Sequence, residues 1–235
     1  MGVSDSAAEP GRLVVRPATR RDLHATARAH VDLLPVGLFP SLGPRFVRRW
    51  HRTFLDSRHG VGYVAVDPSA PGEEFVGFLL GTTDQTAHIA ALLTDRRAVA
   101  SLAVAAASAL VRRPKVATRL LRSRVGPWTR RFRSRKPRGD GPDRPTAAPQ
   151  VAVMTALAVR PEWRGTGIGS TLVTHFVEHA RLAGATTAEL VTPTGPTGAP
   201  TFYERLGWEA GPQESTPDGE GLSVYRRSLR DADPS

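Results

Sequence analysis

The chain has 235 residues, 40% of them apolar, and a formal charge of +10, enough to bury the core of one or two domains. It contains no cysteine, which excludes disulfides and thiolate metal sites and fits a reducing, cytoplasmic setting. No run reaches the roughly 18 apolar residues of a spanning helix, and the opening residues lack the charged and apolar regions of a signal peptide. The charge is concentrated: Arg96 to Arg138 holds 14 Arg or Lys and no acid, so of the total +10 the remainder carries −4.

Residues 1–11 read as a flexible polar tail. RLVVR, residues 12 to 16, is a short strand ended by Pro17. Thr19, with Asp22 three residues on, starts a helix that runs to about Asp32. Leu33 to Gly43 is a Pro- and Gly-broken loop with Leu38 and Phe39 in it. A second helix over about 44–57 places Phe46, Val47, Trp50 and Phe54 on one side. Gly62 to Val66 and Glu74 to Gly81 form a hairpin around DPSAPGE. Helices are expected at about 85–94, 96–112 and 115–124, followed by a Pro/Gly-rich stretch to 149. Val151 to Val159 is a nine-residue apolar run, as a central strand requires. Ile168, Leu172, Val173, Phe176, Val177 and Ala180 recur at helical spacing, and Gly184 stops that helix. Ala188 to Thr192 is a strand, about 199–206 a short helix stopped by Gly207, and Gly221 to Leu229 a last strand.

Between the central strand and its helix lies Arg164-Gly165-Thr166-Gly167-Ile168-Gly169. Strand, glycine turn, helix is the general recipe for an anion site, because unpaired N–H groups and the helix dipole favour negative charge there. A mononucleotide loop of the GxxxxGK type needs a lysine, and none lies near. A dinucleotide fingerprint needs GxGxxG in an early βαβ unit, whereas this motif is GxGxG and late in the chain.

The segment instead resembles the Arg/Gln-x-x-Gly-x-Gly/Ala loop of the GCN5-related N-acetyltransferases (GNAT). Leu157-Ala158-Val159-Arg160-Pro161 is similar to that family's end of strand four. Phe202-Tyr203-Glu204-Arg205-Leu206-Gly207-Trp208 is similar to its second motif, and Arg16-Pro17-Ala18-Thr19 to its start. The resemblance covers about residues 12–81 and 151–229. It implies an α/β fold with a mixed, mostly antiparallel sheet, strands four and five splayed, and helices on both faces. The single domain would span 12–230, with a basic helical insertion at about 83–149 and a tail from 231.

The resemblance also implies acetyl-CoA as acyl donor and direct transfer to a primary amine. The pyrophosphate would bind the amides of Gly165, Thr166, Gly167, Ile168, Gly169 and Ser170, with Arg164 alongside. The pantetheine arm would pair with Leu157, Ala158 and Val159, the Leu157 N–H polarising the thioester. Tyr203 stands where the family keeps its general acid. Many relatives carry a strand-four Glu as base, but residues 151–159 hold no carboxylate, and Thr155 is their only hydroxyl. Glu189 on the next strand is the nearest acid, and a water chain is an equal alternative. Where the family often has Asn before the second motif, this chain has Pro196. His175 and His179 are four apart but lack a metal-site pattern, so a solvent-facing role is expected.

The acceptor is open: a small-molecule amine or a protein amine. So is a homodimer. The basic insertion has three readings: an anionic partner such as nucleic acid or a membrane surface, a lid steering acetyl-CoA by its field, or a solvated face. Trp128 and Phe132 among arginines fit the first. A CoA-binding regulatory domain without turnover is the rival from another class.

Overall fold

The computed structural model describes residues 13–112, 149–194, 199–215 and 221–230. The tails, the helix expected at 115–124, the Trp128 and Phe132 stretch and Pro196 lie outside the described residues.

Seven strands form one sheet. β1 (Val14–Pro17), β2 (Gly60–Asp67), β3 (Glu74–Thr82), β4 (Val151–Val159), β5 (Thr187–Pro193), β6 (Glu209–Ser215) and β7 (Gly221–Ser228) lie in the order β1-β2-β3-β4-β5-β7-β6. Neighbours are antiparallel except β4 and β5. The helices are α1 (Leu23–Leu33), α2 (Leu38–Ser41), α3 (Pro44–Asp56), α4 (Gln85–Thr94), α5 (Arg96–Arg112), α6 (Ile168–Leu182) and α7 (Pro200–Arg205). α6 covers one face over β2, β3 and β4; α1 and α3 cover the other.

The helix starting near Thr19 begins at Leu23. Asp22 accepts hydrogen bonds from the Thr19 N–H (2.7 Å) and hydroxyl (2.9 Å) while pairing with Arg16. Burial alone would raise the Asp22 pKa, but Arg16 and Thr19 outweigh it and hold the carboxyl below its usual range. The loop from Leu33 to Gly43 contains a one-turn helix, α2, between Gly37 and Gly43. Its Phe39 ring rests on Trp50 (4.6 Å) and Phe46 (5.5 Å) of α3, whereas Leu33 and Leu34 pack against the cluster that holds Val64, Phe78 and other sheet residues.

β6 was not legible as a strand. Its sequence EAGPQES is polar, and its register with β7 skips Gly211 and Pro212. Proline lacks a ladder donor and survives on edge strands and at bulges. β6 is such an edge.

The position of the site depends on an irregularity in β4. Leu80 of β3 pairs with Ala156, but Gly81 pairs with Met154, leaving Thr155 as the extra residue of a bulge. The bulge resets the alternation of side chains. Ala152 and Met154 lie in the cluster under α6, as do Leu157 and Val159, whereas Ala156 and Ala158 lie in the cluster under α1 and α3.

A polar chain is buried between α1 and α3. His51 Nδ1 lies 3.1 Å from Thr26 Oγ1, and His51 Nε2 lies 3.1 Å from His30 Nδ1. Burial pushes His30 down to about 4, and burial with the neighbouring His30 pushes His51 well below the ordinary value. Both imidazoles are therefore neutral at pH 7, each satisfying the other.

Candidate active site

β4 pairs with β3 along most of its length but with β5 only from Val151 to Met154. Beyond the bulge the two strands part. The Arg160 N–H bonds to Val76 O at 2.9 Å, so it points at β3. N–H groups alternate between the two edges of a strand. The N–H groups of Val159 and Leu157 therefore point away from β3, into the gap beside β5. Ala158, assigned with them from the sequence, faces β3 with its N–H and buries its methyl under α1 and α3. Its carbonyl faces β3 as well, beside Gly77, so the sequence-based assignment of Ala158 to the gap is corrected: the open edge takes its backbone groups from Leu157 and Val159. An open strand edge of this kind accepts an extended chain by strand addition.

The gap leads to the glycine turn. Gly165 and Gly167 have φ of +82° and +85°, a region that glycine adopts without steric cost. A Cβ at either position would meet nothing within 4 Å. The glycines therefore do not serve protein packing; they shape a turn whose outer side is open. Gly167 is the N-cap of α6 and offers no side chain to its amides. The first turn of α6 has no acidic residue, so the amides around Ile168, Gly169 and Ser170 are left to an external acceptor. Ile168 itself is anchored: its side chain is buried under the sheet. Thr166 Oγ1 donates to Trp163 O at 2.8 Å and tightens the turn. The exposed Arg164 donates from Nε to Val159 O at 3.3 Å, which holds its guanidinium at the mouth of the gap.

α7 closes the far side. A Cβ on Gly169 would lie 3.5 Å from the Phe202 ring and 3.7 Å from Val159 Cγ2. The end of β4, the start of α6 and α7 thus converge within van der Waals range. Tyr203 is 7% exposed and packs against the rings of Phe202 (5.1 Å), Tyr225 (5.9 Å) and Trp208 (6.2 Å). Burial pushes its phenol well above the ordinary value, so it is neutral throughout the physiological range.

Glu189 is the register partner of Val153, one residue before the strands part. Its neighbours Ala188 and Leu190 lie under α6, so its side chain is on the opposite face. There it accepts from Arg226 Nε of β7 at 2.8 Å. Tyr203 and Glu189 thus lie on opposite faces of the sheet near the point of parting.

Several features had no sequence signal. Thr155 Oγ1, at the bulge, is buried without a hydrogen-bond partner, as are Trp163 Nε1 and Trp208 Nε1. A bulge is a tertiary register event, and Thr155 reads simply as a strand residue. His175 and His179 are exposed, as expected, yet they are not idle. The Tyr63 hydroxyl lies 2.9 Å from His179 Nδ1, and the Tyr63 ring 5.4 Å from that of His175.

Residues 138–210 match a family model described as an acetyltransferase (GNAT) domain. Sixty residues are 38% identical to an uncharacterised N-acetyltransferase of Methanocaldococcus jannaschii, over 26% of each chain. The match thus spans about a quarter of that relative. The fold is similar to that of Arabidopsis thaliana NAA60 in complex with acetyl-CoA (TM-score 0.55, 13% identity, 92% of this chain and 98% of that one). It is also similar to an N-acetyltransferase from Staphylococcus aureus (TM-score 0.54, 13% identity, 93% and 99%). At such identities the likeness is one of fold.

Proposed function

The chain belongs to the GCN5-related N-acetyltransferase superfamily, and on that premise we propose that it transfers an acetyl group from acetyl-CoA directly to a primary amine. One observation supports this reading above the others: the free edge of β4 leads, through a 3-10 turn at Pro161–Trp163 and the glycine turn, to the uncapped start of α6. An open strand edge that ends at an anion site matches a ligand with an extended amide arm and a diphosphate.

The residues fit acetyl-CoA as follows. The amides of Gly165 to Ser170 and the Arg164 guanidinium hold the diphosphate. The backbone groups of Leu157 and Val159, which face the gap, align the arm, while those of Ala158 are engaged with β3. When bound, the donor supplies a thioester carbon activated for attack. The Leu157 N–H polarises the carbonyl oxygen, a fixed donor that needs no reorganisation. The buried Tyr203 phenol, kept neutral by its surroundings, donates its proton to the sulfur as the C–S bond breaks. Glu189 takes the proton that the amine must lose before the C–N bond forms, directly or through one water. An ammonium with a pKa of ~10.4 has no lone pair to offer.

Calorimetry of the full chain with acetyl-CoA, followed by an assay of thiol release against a panel of amines, tests the proposal. Micromolar binding and one thiol released per amine acetylated are expected. No heat at millimolar ligand overturns the binding site. Binding without turnover on any amine leaves the regulatory reading in its place.

A further inference from the structure

α5 is a surface helix with apolar residues on both sides. Its inner side, including Leu102, Ala105, Ala109 and Leu110, packs on Phe46 and Val47 of α3 and on Leu42. Its outer side exposes Val99 (39%), Val104 (63%) and Val111 (84%), with the exposed Ala100, Ala103 and Ala107 filling the line between them. Positions 100, 104, 107 and 111 fall on one helical stripe. A surface helix ordinarily turns charged and polar residues outward, and a contiguous exposed apolar stripe marks a contact surface.

Cations surround this stripe. Arg96 and Arg97 stand at one end of α5 and Arg112 at the other, with no acid between them. α3 runs antiparallel beside it: Arg49 Nη1 donates to Ser101 O at 3.1 Å, and Arg45 and Arg112 line one shallow groove. Arg45, Arg48 and Arg49 are all exposed. The chain then continues from Arg112 to Arg138 without a carboxylate.

We propose that the outer side of α5, with the arginines of α3 beside it, docks on an anionic lipid surface. Aliphatic side chains enter the acyl boundary, and the arginines reach headgroup phosphates from long apolar stems. A second copy of the chain would set this basic surface against itself. Nucleic-acid interfaces are polar and wet, and they stack bases on rings; between its terminal arginines the outer side of α5 presents Val and Ala side chains and no ring. This surface is separate from the glycine turn and is independent of the acetyl-transfer reading.

The test is co-sedimentation of the full chain with vesicles of phosphatidylcholine alone or with about 30% phosphatidylglycerol. The anionic vesicles should bind at least roughly tenfold more tightly. Val104→Gln with Val111→Gln should weaken that binding roughly tenfold through lost apolar burial. Arg45→Gln with Arg48→Gln should do the same through lost charge. Val104→Trp should strengthen it. Circular dichroism and acetyl-CoA affinity should stay unchanged in all variants. Full binding by the valine double variant overturns the proposal, since the contact would then lie outside α5. So do absence of vesicle binding, tighter binding to RNA or an acidic peptide, and a dimer dissolved by the valine substitutions.

Discussion

Val151–Met154 and Thr155–Val159 come from one apolar run, yet the first half of β4 pairs with β5 and, at Val153 and Met154, with β3 as well, whereas the second half pairs with β3 alone. The first half is core: Ala152 is fully buried and Met154 is 4% exposed. The second half spends its backbone on an absent neighbour, with the Leu157 and Val159 N–H groups aimed into the gap. The contrast teaches that a buried core and an open backbone edge can divide along a single strand, and that the divider is one unpaired residue, Thr155. Perturbing the first half should therefore change stability, and perturbing the gap and its surroundings should change binding or rate.

The largest effect is expected in the gap. Tyr203→Phe should lower kcat by about 10²–10⁴-fold and leave acetyl-CoA affinity within about twofold, as titration and initial rates would report. An equal loss of both would make Tyr203 a packing residue. Because burial holds the phenol above its ordinary value, the wild-type kcat should not fall through its ionisation below about pH 10.

In the paired half, Met154→Ala should cost about 3 kcal/mol of stability in urea unfolding. Acetyl-CoA affinity, corrected for the folded fraction, should hold. A large affinity loss would erase the division between the two halves.

The helices over the other face bring an acid sensitivity that must be kept apart from catalysis. The His30 pKa falls from 6.5 to about 4 on folding. The unfolded chain therefore binds the proton first, so this stability is present above about pH 6.5 and is lost as pH falls towards 4. The loss is on the order of 3 kcal/mol. Thermal melts between pH 7 and 4.5 should show it, and His30→Gln with His51→Gln should flatten it. A wild-type Tm constant over that range would contradict the buried neutral pair.

At the turn, Gly167→Ala should weaken acetyl-CoA binding about tenfold. The cause is the φ of +85°, since a Cβ there meets no protein atom. The smallest effect belongs to Arg164. Arg164→Gln should weaken binding about threefold at low salt and less at high salt, because the side chain is exposed and its field is screened.

Much of the architecture was readable before any coordinates. The periodicity of Ile168 to Ala180 and the apolar run at 151–159 named α6 and β4, because both elements bury one face or both against the rest of the chain. The glycine turn was readable because a positive φ restricts residue choice. β6 was not readable, because an edge strand bent at Gly211 and Pro212 carries little apolar signal. Nor was the His30–His51 pair, whose partners lie 21 residues apart on two helices.

The amino-acid order alone determined which segments turn, which coil and which carry the glycine bend, since those follow from local sterics and spacing. Only the assembled sheet decided that β4 should part from β5 after Met154, that the Leu157 and Val159 amides should face the gap, and that α5 should keep valines in the open. Register, strand parting and exposure are relations between distant segments, and packing alone sets them.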